Sequence, residues 1–168
     1  DELGVKPATL DDPDQAGPPI MVQVTIEQFG TTLTGSEISA AALALHGYPI
    51  ISLGLNYATD PADMAEHLAF LARHWDRHLS VLPNAGLPVL VEGRTEYPLQ
   101  PDDFAKTMDE FARRYGLSVV GGCCGTTPEH LHALHRAIGD RPRATPEDRE
   151  PMPQGCTSLF SPTDYRQD

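Results

Sequence analysis

Two adjacent cysteines set between glycines are the residues in this sequence best suited to chemistry. They lie in GGCCGTTPEH, Gly121–His130, after a short apolar run and before an amphipathic stretch. That order places them where a strand ends and a helix begins. In parallel α/β folds this end of the strands is the functional face. The flanking glycines let the backbone bend and aim both sulfurs at one point. Two thiolates meeting at one point suit a soft cation such as Zn2+. The dipole of the following helix also favours thiolate over thiol. From the residues alone a plainer reading stays open, because free cysteine is often just a small buried hydrophobe.

Other metal-ligating residue types are present. A third cysteine, Cys156, lies beyond a Pro-rich stretch, and ordering that stretch to bring it to the pair costs entropy. Three cysteines cannot all pair, and neighbours bridge only through a strained ring. A disulfide scaffold is therefore not expected, and a reducing cytoplasm is the expected compartment. Of seven histidines, His74 and His78 stand four apart, while His130, His132 and His135 crowd one helix. These read as solvated side chains on polar helix faces. No HExxH pattern or phosphate-binding loop occurs.

The elements that must position the cysteines alternate in type. Strands are expected at Ile20–Ile26 (IMVQVTI), Ile50–Leu55 (IISLGL), Leu79–Leu82 (LSVL) and Leu117–Val120 (LSVV). Each is a short apolar run of the kind buried on both faces. A helix is expected from Ser36 to His46, with Ile38, Ala41, Ala42 and Leu45 inward and Gly47 as its stop. A second runs from Pro61, behind Asp60, to about Trp75. A third, Pro101 to Tyr115, puts Phe104, Met108, Phe111 and Tyr115 at helical spacing. Thr126 or Thr127 caps the last, which reaches about Ile138.

Four βα units in a row imply a parallel sheet, either a small doubly wound sheet or half of a (β/α)8 barrel. A whole barrel takes about 250 residues, and the chain has 168. Past Gly139 the sequence DRPRATPEDREPMPQG has little to bury and reads as a linker. At the other end, DELGV reads as the end of a helix with Gly4 beyond it, and no initiator Met or signal peptide opens the chain. The chain is accordingly expected to be a fragment. Its net charge of -12, from 24 acidic and 12 basic residues, argues against nucleic acid and anionic membrane as partners. No run of eighteen apolar residues is present to span a bilayer.

GGCCGTTPEH closely resembles the last-strand motif of the homocysteine S-methyltransferase family. GLNYATDPADM (Gly54–Met64) resembles the family's GxNC strand end, and VLPNAGLP (Val81–Pro88) its PNAG turn. QVTIEQFGTTLTGSEI (Gln23–Ile38) is similar to the strand-five segment of the cobalamin-dependent methionine synthase branch. SLFSPTDYRQD (Ser158–Asp168) is similar to that branch's connector into a folate-binding domain. The resemblance runs from about residue 20 to the end, in order and spacing.

The resemblance implies a partial (β/α)8 TIM barrel comprising strands five to eight. Residues 1–19 would be a residual helix end and polar insertion, 20–139 the C-terminal half of a homocysteine-binding barrel, and 140–168 a linker. It implies zinc held by three cysteines, with homocysteine supplying a fourth sulfur. Methylcobalamin on another domain would then give its methyl group to the zinc-bound thiolate. Cys123 and Cys124 match the paired ligands. The third position is Tyr57, a hard, weakly acidic phenol in place of a thiolate, so weakened zinc binding is expected. By the same resemblance Asn84 fills a vacant zinc position, Glu27 meets the homocysteine amino group, and Asn56 orients the ligand loop. Ordinary roles stay open for all three: a turn-former, a strand-end charge and a local backbone partner. Homocysteine and the folate- and cobalamin-binding domains are the implied partners. Two other readings remain: a non-catalytic, degenerate module acting by association, and a relative that takes its methyl group from betaine or S-methylmethionine.

Overall fold

The computed structural model describes residues 18–27, 30–56, 61–142, 149–158 and 160–164. The calls on DELGV, Asp60 and Tyr57 lie outside these. Four strands form one parallel sheet: β1 (Met21–Thr25), β2 (Ser52–Asn56), β3 (His78–Leu82) and β6 (Val119–Val120). They stand side by side in chain order, all parallel. The helices α1 (Ile38–His46), α2 (Pro61–His74), α3 (Pro101–Tyr115) and α4 (Pro128–Ile138) alternate with them. They pack in the same succession, α1 on α2, α2 on α3 and α3 on α4. The fold is therefore α/β, as the alternation of elements implied.

Side chains alternate across a strand, and the two faces of this sheet differ. Leu53, Leu55, Leu79 and Val81 are fully buried in one core with Met64, Leu68 and Leu71 of α2 and Phe104 and Met108 of α3. The opposite face is also buried in part, but by small polar groups. Gln23 Nε2 donates to Ser80 Oγ at 2.5 Å, and Ser52 Oγ to Ser80 Oγ at 2.9 Å. Gly54 lies in register between Gln23 and Ser80. A Cβ there would stand 2.2 Å from Ser80 Oγ, so only glycine leaves room for that bond. The apolar runs expected to face two cores thus face one core and one polar layer.

The helices follow their sequence signals. On α3 Phe104, Met108, Phe111 and Tyr115 are buried as spaced, and Gly116 ends it in the left-handed conformation. Thr127, not Thr126, caps α4. On α1 the buried set is Ile38, Ala40 and Ala42, while Ala41 and Leu45 are only partly buried against the core. Arg77 closes the far end of α1, donating to the carbonyls of His46 and Tyr48, each at 2.6 Å, and of Ile50 at 2.9 Å. A cation there complements the helix C-terminus.

Two features were not foreseen. Between β3 and α3 an antiparallel hairpin, β4 (Val89–Val91) and β5 (Arg94–Glu96), turns through Glu92 and Gly93, both at positive φ. Such turns favour Asn-Gly or Asp-Gly, and Glu-Gly masked the signal. The supposed linker is also ordered where it is described. Arg149 donates to the carbonyls of Trp75 at 2.5 Å and Arg77 at 3.0 Å, and the Glu150 N–H to Arg73 O. Met152 packs on the core. The hairpin β7 (Gly155–Thr157) and β8 (Pro162–Asp164) lies against α1, where Phe160 O accepts the Glu37 N–H at 2.8 Å. Composition hid this, because the anchoring groups are two arginine contacts and one methionine rather than an apolar run. No helix among the described residues is long and apolar enough to cross a membrane.

Candidate functional site

The expected site residues sit along one edge of the sheet, where the parallel strands end. Glu27 follows β1 and is half-buried, and Asn56 closes β2. The segment Pro83–Gly86 follows β3, and Gly121–Gly125 follows β6. The β3–β6 pairing continues past the regular strands into the two loops. Gly121 N–H donates to Val81 O at 3.1 Å, and Cys123 N–H to Pro83 O at 2.8 Å. Ala85 N–H then returns a bond to Cys124 O at 2.9 Å. The cysteine loop and the Asn84 turn are therefore one ladder.

Within it a tight turn reverses the chain, with Thr126 N–H donating to Cys123 O at 3.2 Å. Gly125 is the third residue of that turn and has φ +75°. A type II turn needs this, and glycine meets it without strain. The turn leaves Cys123 half-buried and Cys124 exposed, with sulfurs 3.8 Å apart. Two sulfurs each about 2.3 Å from a tetrahedral Zn2+ would stand about 3.8 Å apart. The pair thus has the spacing of one edge of a zinc–thiolate tetrahedron. Burial, and then the neighbouring Cys124 thiol, push the Cys123 thiol above its ordinary pKa. A cation that binds Cys123 through its sulfur must displace that more firmly held proton.

Asn84 is buried, and its Oδ1 accepts the Cys124 N–H at 3.1 Å. Its side chain fixes the cysteine backbone, a role beyond a turn-former's. Asn56 Oδ1 accepts a bond from the Thr25 hydroxyl at 2.9 Å, tying the ends of β1 and β2 just before position 57. The structure brings Cys123, Cys124 and Asn84 together. Glu27 lies on the far side of the sheet's strand order from them. Tyr57 falls outside the described residues. Cys156 sits exposed in β7, in the hairpin against α1. Among the described residues no group of three His, Cys, Asp or Glu is placed to hold a metal.

The histidine expectation needs correction. His132 and His135 are exposed, but His130 is only 6% exposed. Its Nδ1 accepts the Thr127 N–H at 3.2 Å, and its Nε2 bonds Leu99 O at 2.8 Å. His74 stacks at a tilt on Phe70, and His78 Nδ1 bonds Ser118 Oγ at 2.9 Å. The signal for His130 was present in TTPEH. His130 stands three residues after an N-capping threonine, the place where a capping box carries Glu or Gln.

Comparison with known proteins gives matches over most of the chain. The family model described as homocysteine S-methyltransferase matches residues 5–138. The match begins upstream of residue 20, inside the segment read as a polar insertion. A methionine synthase of Mycobacterium tuberculosis is 45% identical over 150 residues, covering 89% of this chain and 12% of that protein. A methionine synthase of Mycobacterium leprae is 51% identical over 120 residues, 71% of this chain and 10% of that protein. The chain spans about a tenth of the length of these curated relatives.

Proposed function

The chain belongs to the homocysteine S-methyltransferase family, and we propose that it is the thiol-activating half of a homocysteine-binding barrel in a methionine synthase. Residues 20–139 form strands five to eight of a (β/α)8 barrel in this reading. Residues 1–19 lead into it, and 140–168 connect it to a folate-binding domain. Two features favour a barrel segment over a doubly wound sheet. The strand order follows the chain without reversal, and successive helices pack on one another. A doubly wound sheet reverses its order at a switch point and splits its helices between two faces.

The observation that carries the function is the 3.8 Å sulfur pair at the strand ends. Cys123 and Cys124 would hold Zn2+ through these sulfurs. Bound zinc would supply Lewis acidity there, lowering the pKa of a substrate thiol from about 8.5. The chain's own residues hold the geometry. The β3–β6 ladder fixes both sulfurs, and Asn84 fixes the Cys124 backbone. Asn56 fixes the strand end that leads to position 57, and Glu27 receives the amino group of homocysteine. Asn84 Oδ1 keeps a lone pair for the cation when no substrate sulfur is bound. The methyl donor in this reading is methylcobalamin held by another domain, and the compartment is the cytoplasm.

Tyr57 favours a second reading, a degenerate module that acts only by association. A phenol oxygen where the family has a thiolate should weaken zinc binding by orders of magnitude. A betaine or S-methylmethionine donor fits less well, because SLFSPTDYRQD resembles a connector to a folate-binding domain. Zinc content of the purified chain, compared with Tyr57→Cys, separates the readings. We expect sub-stoichiometric zinc in the chain as it stands and about one zinc per chain after Tyr57→Cys. Full zinc in the unchanged chain would remove the impairment. No gain in Tyr57→Cys would mean that the chain does not assemble the site.

A further inference from the structure

The cysteine loop closes a ring of hydrogen bonds that passes through a buried histidine. Cys124 N–H donates to Asn84 Oδ1, and Ala85 N–H donates to Cys124 O. Leu99 N–H donates to Ala85 O at 3.1 Å. Leu99 O accepts from His130 Nε2, and His130 Nδ1 accepts the Thr127 N–H. Thr127 is three residues along the chain from Cys124, which completes the circuit. A carbonyl oxygen only accepts, so Nε2 carries the proton and Nδ1 is left with the lone pair that Thr127 uses. Both ring nitrogens are thus engaged. Phe104 meets it edge to face at 5.5 Å and holds its plane.

A helix cap alone would need only one of these bonds. The second reaches out of α4 to the segment that runs beneath the cysteine loop. That same segment carries Tyr97, which packs directly under Gly125. We propose that His130 is a positioning residue for the thiol pair. By bridging the start of α4 to Leu99, it holds Cys123 and Cys124 at the spacing a thiophilic centre takes. The inference rests on the proposed ligand role of the pair, but not on zinc being the ion bound.

Phenylarsine oxide, a trivalent arsenical, tests it on the full chain. Arsenic forms a bond to each sulfur, and both thiol protons leave with its oxygen as water, with no change of oxidation state. Affinity is read by competition with dithiothreitol, and helix integrity by the thermal midpoint. We expect 1:1 binding by the unchanged chain and about tenfold weaker binding by His130→Ala, the low end for groups that orient ligands without touching the metal. His130→Gln, which can accept from Thr127 and donate to Leu99 O, should recover binding to within about threefold of the unchanged chain. His130→Glu keeps the helix cap but has no proton for Leu99 O. It should bind as weakly as the alanine variant, and a carboxylate buried against a carbonyl oxygen should also lower the thermal midpoint. Unchanged affinity in His130→Ala or full affinity in His130→Glu would overturn the proposal. So would weak binding by His130→Gln, or no binding by the unchanged chain. Arsenical binding with the expected variant pattern, alongside no zinc uptake even in Tyr57→Cys, would sink the zinc reading and leave this one standing.

Discussion

The contact between Gly125 and Tyr97 predicts a specific, separable defect. A Cβ on Gly125 would stand 2.2 Å from Tyr97 Cγ and 2.4 Å from Tyr97 Cβ. These atoms lie next to the backbone, so a rotamer change does not clear them. Gly125 also has φ +75°, where an L side chain costs roughly 1–2 kcal/mol. Gly93 supplies the control: its φ is +79°, but nothing lies within 4 Å of its Cβ position. Gly93→Ala and Gly125→Ala share the conformational cost and the gain from a stiffer unfolded chain. Their difference isolates the clash, about 1–3 kcal/mol as for other overpacked sites. Urea unfolding followed by circular dichroism measures each. Adding Tyr97→Gly, which removes both Cβ and Cγ, to Gly125→Ala should recover most of that difference, a coupling of about 1–3 kcal/mol. Equal destabilisation at Gly93 and Gly125, or strict additivity with Tyr97→Gly, would show that the loop does not rest on Tyr97.

Metal binding by Tyr57→Cys should strengthen with pH. The Cys123 thiol is raised above its ordinary value, so below that value each bound cation expels protons. Proton release on zinc addition in weak buffer, approaching one per protein thiol bound near neutral pH, checks this; release near zero contradicts it. Arg149→Ala should lower stability by about 1–3 kcal/mol, because two carbonyls lose a charged donor. Urea unfolding reads that loss, and an unchanged midpoint would mean that residues 149–164 do not brace the helices.

The elements were legible in the sequence because burial and period agree in them. On α3, for example, Phe104, Met108, Phe111 and Tyr115 leave no other face to bury. The cysteine pair was legible because two glycines and a helix cap bracket it. What sequence could not supply was tertiary partnership. Nothing local says that Asn84 bonds the Cys124 backbone, that His130 reaches Leu99, or that Tyr97 underlies Gly125. The ordered tail was missed for a related reason. Its anchors are carbonyl groups of the α2–β3 connection, and backbone acceptors leave no trace in composition.

The two sides of the site differ in what holds them. The sulfurs belong to a unit made of β3, β6, the start of α4 and the segment through Leu99. Its members bond one another directly. Nothing in that circuit involves β1 or β2. Glu27 and Asn56 come from those other strands, and Asn56 is tied to Thr25 rather than to the cysteine ladder. The thiol pair is therefore preorganised by contacts close to it. Gln23 spans Gly54 to reach Ser80 and so links β1 to β3 across β2. The thiol pair thus depends on a local ladder, whereas the placement of Glu27 and Asn56 depends on the register of β1, β2 and β3.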